Sequence, residues 1–201
     1  AQGTVGNGFS GIFVKLVIQT TYTMQTFIST PNLVINGNFE NGNTNFTSEY
    51  QFAPTRNADG QFGIVANAKQ WYSGLNCFNC GDHTNAPTGN MMVADGSVIA
   101  NRKIWNSDFA VTPNTTYRII FWAIAYDSNE KAALALFINN HKSGEWTNNS
   151  SEIGSWKQFS TLWNSGSTDT LNLDIRNQNV SANNNRFSID DISVSRYETG
   201  I

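Results

Sequence analysis

Charge is scarce in this 201-residue chain. Asp, Glu, Lys and Arg make up 13% of it and leave a net charge of −3. No basic run or stripe stands out, and that argues against a nucleic-acid partner. Cysteine is limited to two residues and proline to four, too few for a disulfide-stapled or proline-rich scaffold. The longest apolar run, residues 119–126, is too short to span a bilayer, so no transmembrane segment is expected. No segment combines apolar and charged residues at the 3.6-residue period of a long amphipathic helix. The only histidines are His83 and His141, and neither lies in a nucleophile motif. With so few catalytic candidates, no enzyme is expected.

Asn, Thr, Ser and Gly are abundant instead, separating short apolar runs. Such residues favour turns and disfavour helix, because their side chains compete for backbone hydrogen bonds. At 39% hydrophobic and 12% aromatic residues, the chain can still bury a core. Short β-rich runs with regular turn punctuation predict an all-β sandwich or barrel. Strands are expected at 32–39, 62–67, 69–72, 90–93, 104–111, 116–126, 132–138, 156–163, 171–175 and 187–195. Asp95-Gly96 reads as a hairpin turn, and Asn139-Asn140 as a further turn. Residues 116–126 are apolar on both faces, as suits an internal strand.

Residues 12–28 form the longest alternating stretch. Ile12, Val14, Leu16, Ile18, Tyr22, Met24 and Ile28 share one parity, the signature of a strand with one buried face. At about 3.3 Å per residue this stretch would span roughly 56 Å, much longer than an ordinary strand. Ordering each of its residues costs about 1–2 kcal/mol, so it must join a sheet. Pro31 marks the one boundary, giving an N-terminal arm at 1–31 and a sandwich at 32–201. The arm is expected to complete a sheet of a neighbouring identical subunit. Such strand addition would build an extracellular homopolymer, a filament or surface assembly. The start at Ala1-Gln2 suits cleavage after a small residue, so the chain is expected to be secreted or surface-displayed.

Several motifs resemble a known family. Asn32-Leu-Val-Ile-Asn-Gly-Asn-Phe-Glu40 is followed by Cys80-Gly-Asp82-His-Thr84 and by Gly89-Asn-Met-Met-Val-Ala-Asp-Gly96. Val111-Thr-Pro-Asn-Thr-Thr-Tyr117 and Phe187-Ser-Ile-Asp-Asp-Ile-Ser193 come later, in the same order as in that family. Together, over about 32–197, they resemble the jelly-roll modules of the carbohydrate-binding-module and galactose-binding-like superfamily of bacterial surface proteins. The Asp82-His83-Thr84 segment is also similar to MAM-type extracellular domains. The resemblance implies a jelly-roll β-sandwich. It further implies a structural calcium ion held by Glu40, Asp82 and one of Asp190 or Asp191, since calcium takes six to eight oxygens including several carboxylates.

Strand phase adds a local expectation. Phe187 and Ile189 share one parity, Ile192 and Val194 the other, so a bulge at Asp190-Asp191 would keep both pairs inward. Cys77 and Cys80 form a disulfide most simply in an oxidising compartment. A thioredoxin-like role would need a βαβ context. Zinc would need four ligands, and Cys77, Cys80 and His83 offer three. The alternative function is binding of a polysaccharide by a non-catalytic adhesin module whose arm packs on its own sandwich. Trp71, Tyr72 and Trp146, which flank loops, are then the stacking candidates. Trp122, Trp156 and Trp163 are expected in the core.

Overall fold

Ten strands and one helical turn carry the fold in the computed structural model, which describes residues 31–75, 77, 80–84, 88–126, 132–148, 153–181 and 185–198. In chain order they are β1 Gln51–Phe52, β2 Gln61–Val65, α1 Ala68–Trp71, β3 Met91–Asp95, β4 Lys103–Ala110 and β5 Thr116–Ala125. β6 Ala133–Ile138, β7 His141–Thr147, β8 Lys157–Asn164, β9 Thr170–Asn177 and β10 Arg186–Arg196 complete the set. One sheet has the order β1-β2-β3-β10-β5-β8 and the other β4-β9-β6-β7. Every pairing is antiparallel except that of β1 with β2. The described residues fall in one compact unit. The fold is the expected all-β jelly-roll sandwich. The arm at 12–28, with Ile12, Val14, Leu16, Ile18, Tyr22, Met24 and Ile28, lies outside the described residues.

Alternation explains the main core. Leu134, Leu136 and Ile138 of β6 and Leu171, Leu173 and Ile175 of β9 face Tyr117, Ile119 and Phe121 of β5 and Phe187, Ile189 and Val194 of β10. All are buried, and each such side chain contributes about 1.5–3 kcal/mol. The other face of the six-stranded sheet carries a second, smaller core. There Met91, Val93, Ile124 and Tyr126 pack with Ala68, Trp71, Leu75, Cys77 and Cys80. That is why residues 116–126 are apolar on both faces: odd positions enter the main core, while Ile124 and Tyr126 enter the second.

Four local expectations are corrected. Residues 32–39 form no strand; they run beside β10, with Leu33 N donating to Val194 O, and then turn, with Asn36 and Phe39 at positive φ. Residues 69–71 belong to α1 and Tyr72 is its C-cap; the start of the helix is capped by Asn67 accepting from Lys69 N at 3.0 Å. Asp95-Gly96 is no hairpin, because β3 lies between β2 and β10 and the chain crosses to the other sheet. β7 carries no apolar alternation, yet it pairs with β6 through Asn139-Asn140, whose φ angles of 49° and 65° define a type I′ turn.

Candidate functional site

The site begins at a defect in β10. Asp190 pairs with Trp122 of β5 while Ser193 pairs with Ile120, so the register shifts between them, and Asp191 takes a φ of 47°. This is the expected bulge: Phe187, Ile189, Ile192 and Val194 are all buried on one side of the strand. The turn at 35–38 is pressed against it. Ile192 N donates to Gly37 O at 2.9 Å, and a Cβ on Gly37 would stand 2.0 Å from Ile192 O. Only glycine permits that approach.

The 80–84 segment closes on the bulge from the other side. His83 N donates to Asp190 Oδ2 at 3.2 Å, and the His83 Nδ1 lies 2.6 Å from Asp191 Oδ2. The His83 ring stacks on Trp122, with centroids 3.9 Å apart, and meets Trp156 edge-on at 5.6 Å. Asp82 accepts from Thr84 N at 3.1 Å and from the Thr84 hydroxyl. Cys77 and Cys80 are joined by a disulfide, with Cα atoms 5.7 Å apart. It fixes the chain just ahead of Asp82 and leaves neither thiolate for zinc.

Asp82 and Asp190 are both buried and hydrogen-bond to each other. Burial, first, and then the Asp82 bond and the Asp191 charge push the Asp190 carboxyl up to about 10. Two carboxylates in contact away from water need a proton or a cation between them, so this pair suits a hard divalent ion. The other two expected ligands are engaged elsewhere: Glu40 Oε1 accepts from Asn90 N at 2.9 Å, and Asp191 faces His83. Among the described residues no three His, Cys, Asp or Glu side chains converge as a metal centre.

A groove of about 490 Å³ opens between the 32–38 segment and the outer face of β5, β8 and the bulge. Trp122 and Ile120 of β5 line it, half-buried. Several amides surround them, and they differ in what they have left to offer. Asn32 is committed to Val34 N, Val194 N and Ile192 O. Asn36 is committed to Asn41 N, Gly42 O and Thr44 O. Asn38, Gln158 and Ser193 also line the groove, and their side chains have no hydrogen-bond partner among the described residues. Asp191 is the single charged residue in the lining.

The aromatic residues expected to stack on sugars stand apart from this groove. Trp71 is 1% exposed and donates to Ala53 O at 2.8 Å, and Trp146 is 5% exposed in the main core. Neither has a face to offer. Tyr72 lies under two guanidiniums, with Arg56 at 4.6 Å and Arg186 at 4.9 Å from its ring. Both arginines pair with the buried Asp95. Trp122, expected in the core, is the aromatic residue at the groove. Its sequence signal was the parity of β5, which sets it opposite to Phe121 and Ala123.

No protein-family model matches the sequence, and no curated protein is similar to it in sequence. Solved structures are similar in fold. One is the N-terminal CBM22-1–CBM22-2 tandem domain of Paenibacillus barcinonensis Xyn10C, at 12% identity and a TM-score of 0.52, covering 86% of this chain and 48% of that one. The chain therefore spans about half the length of that tandem domain. Another is the Stig cyclase Fisc from Fischerella sp. TAU, at 11% identity and a TM-score of 0.53, covering 85% and 98%. A third is the arabinose-bound α-L-arabinofuranosidase MgGH51, at 12% identity and a TM-score of 0.51, covering 84% and 27%. The chain has a carbohydrate-binding-module-like jelly-roll fold. The likeness reaches the fold alone, which hosts binding modules and a cyclase alike, so function has to be argued from the groove.

Proposed function

We infer that the sandwich is a non-catalytic carbohydrate-binding module and that the Trp122 groove is its ligand site. The observation that carries this reading is the set of unspent polar groups around one half-buried indole. Sugars combine hydroxyls that donate and accept with C–H faces that suit an aromatic surface. Asn38, Gln158 and Ser193 supply the first kind of partner and Trp122 the second. A volume near 490 Å³ is within the ordinary range of small-ligand sites. Binding rather than hydrolysis is favoured because Asp191 is the one carboxylate in the lining, whereas glycoside hydrolysis uses two. Titration calorimetry against a panel of soluble polysaccharides tests it. The expected result is binding that Trp122→Ala weakens by about tenfold or more, a loss of roughly 1.4 kcal/mol. Absence of any binding by the wild-type chain would remove the reading.

A structural calcium ion at the Asp82–Asp190 pair belongs to the same reading, with backbone carbonyls and water completing its shell. So does an extracellular or surface location, which the Cys77–Cys80 disulfide suits. No helix among the described residues is long and apolar enough to cross a membrane.

A second reading, assembly into a homopolymer by strand donation, draws on one feature. β8 pairs only with β5 among the described residues, and its inward-facing Phe159 and Trp163 are half-buried. An edge of that kind invites a further strand.

A further inference from the structure

The groove at Trp122 is one end of a longer strip. On the outer face of the six-stranded sheet, β5 sets Trp122, Ile120 and Arg118 in a row, and β8 places Gln158, Ser160 and Leu162 beside them. Past the bulge, β10 adds Ser193 next to Ile120 and Ser195 next to Arg118. The second core, where Ala68, Trp71, Leu75, Cys77 and Cys80 pack, covers the β3 side of this face, and among the described residues the strip stays open, with Arg118, Gln158, Ser160 and Leu162 exposed. Ser160 and Ser193, on either side of Ile120, are short, so the middle of the strip lies low between an indole at one end and a guanidinium at the other. Four residue steps separate these ends, about 13 Å at about 3.3 Å each.

Arg118 is exposed, and its electrostatic position differs from that of three other arginines. Arg56, Arg176 and Arg186 each face a buried aspartate. Arg118 donates through Nε to Ser160 Oγ at 3.3 Å and has no carboxylate partner among the described residues. Its remaining N–H groups form the planar fork that matches a carboxylate. Asp191 sits at the Trp122 end, about four residue steps or roughly 13 Å along the strip, beyond a Debye length of about 8 Å at physiological ionic strength, so salt screens it from that charge.

We propose that the ligand is an acidic polysaccharide, bound as an extended chain along β5, with one sugar against Trp122 and a uronate carboxylate on Arg118. This rests on the carbohydrate-binding reading of the groove and adds to it a chain length and a charge. A single sugar is too short to reach both ends. Asp191 repels an acid group at the Trp122 end, so the two ends are not equivalent and the chain lies in one direction.

The test uses a panel of uronate oligosaccharides of defined length, their methyl esters, and neutral oligosaccharides, titrated into the full chain at low and high salt. An ion pair at an exposed guanidinium is weak, so the acids should bind about two- to fivefold tighter than their esters at low salt. The advantage should shrink with salt. Arg118→Ala, checked for an unchanged Tm, should bring the acid's affinity down to that of the ester, while Arg118→Lys retains part of the preference. Equal binding of acid and ester, neutral ligands binding while uronates do not, or a preference that survives Arg118→Ala would each overturn the inference and leave the groove reading intact. If no saccharide of either kind binds, the groove reading falls and the inference falls with it.

Discussion

His83 lies flat on Trp122, ring centroids 3.9 Å apart and planes within 22° of parallel, while its Nδ1 holds Asp191 at 2.6 Å. One side chain therefore fixes both the aromatic and the charged member of the groove. His83→Ala should free Trp122 and Asp191 together. We expect a shift in tryptophan fluorescence and saccharide affinity reduced several-fold, with a stability loss of about 0.5–1.5 kcal/mol from the stacked pair. An affinity equal to wild type would show that Trp122 needs no such support.

Gly37 is the contact on which the 35–38 turn depends, because a Cβ there would meet the backbone oxygen of Ile192 at 2.0 Å. Backbone cannot swing aside as a side-chain tip can. Gly37→Ala should cost about 1–3 kcal/mol in urea unfolding and abolish the groove by lifting the turn from the bulge. Gly42→Ala is the control for space: nothing lies within 4 Å of a Cβ there, although its φ of +70° adds local strain.

Asp95 is buried between Arg56 and Arg186, which themselves lie over Tyr72. Burial raises its carboxyl and the Arg56 hydrogen bond opposes the rise. Removing the carboxylate would leave two guanidiniums partly desolvated without a counter-charge. Asp95→Ala should cost about 3–5 kcal/mol, toward the lower end because both guanidiniums retain some contact with water. Chemical denaturation measures it directly.

The Asp82–Asp190 pair makes a prediction about pH. Folding raises the Asp190 carboxyl from its ordinary 3.8 to about 10, so the folded protein holds a proton that the unfolded chain has released. That stabilisation is fully present below about pH 4 and is lost as pH rises toward 10. In chelator, Tm should therefore fall steadily from pH 5 to pH 9. If the pair takes calcium, millimolar calcium should flatten that fall, because the ion replaces the proton. Superimposable curves with and without calcium would exclude the ion from this pair.

Residues 1–30 separate the two functional readings. Deleting them should leave a folded sandwich that still binds saccharide. If strand donation operates, the full chain forms polymers visible by negative-stain microscopy and the truncated chain does not. Polymers formed by the truncated chain would end the assembly reading.

Much of this architecture could be read from residue order, for identifiable reasons. The β10 bulge was legible because Phe187 and Ile189 cannot share a face with Ile192 and Val194 unless the register slips. The Asn139-Asn140 turn was legible because two consecutive asparagines tolerate positive φ. β7 was not, since His141-Lys142-Ser143-Gly144-Glu145 has no apolar alternation and becomes a strand through its pairing with β6. α1 was missed because its four residues are set by the Asn67 cap and the burial of Trp71 rather than by any periodicity. Trp122 was passed over for a related reason. In a strand apolar on both faces, only the reach of the distant 66–84 segment decides which outer residues stay uncovered.

β10, the last strand among the described residues, sits in the interior of its sheet between β3 and β5. The six-stranded sheet is therefore joined only once β10 is in place, because β3 and β5 have no other shared neighbour among the described residues. Pairings between such distant segments are slow to form. The Arg186–Arg196 segment is the keystone of that sheet: without it, β1-β2-β3 and β5-β8 are two separate fragments.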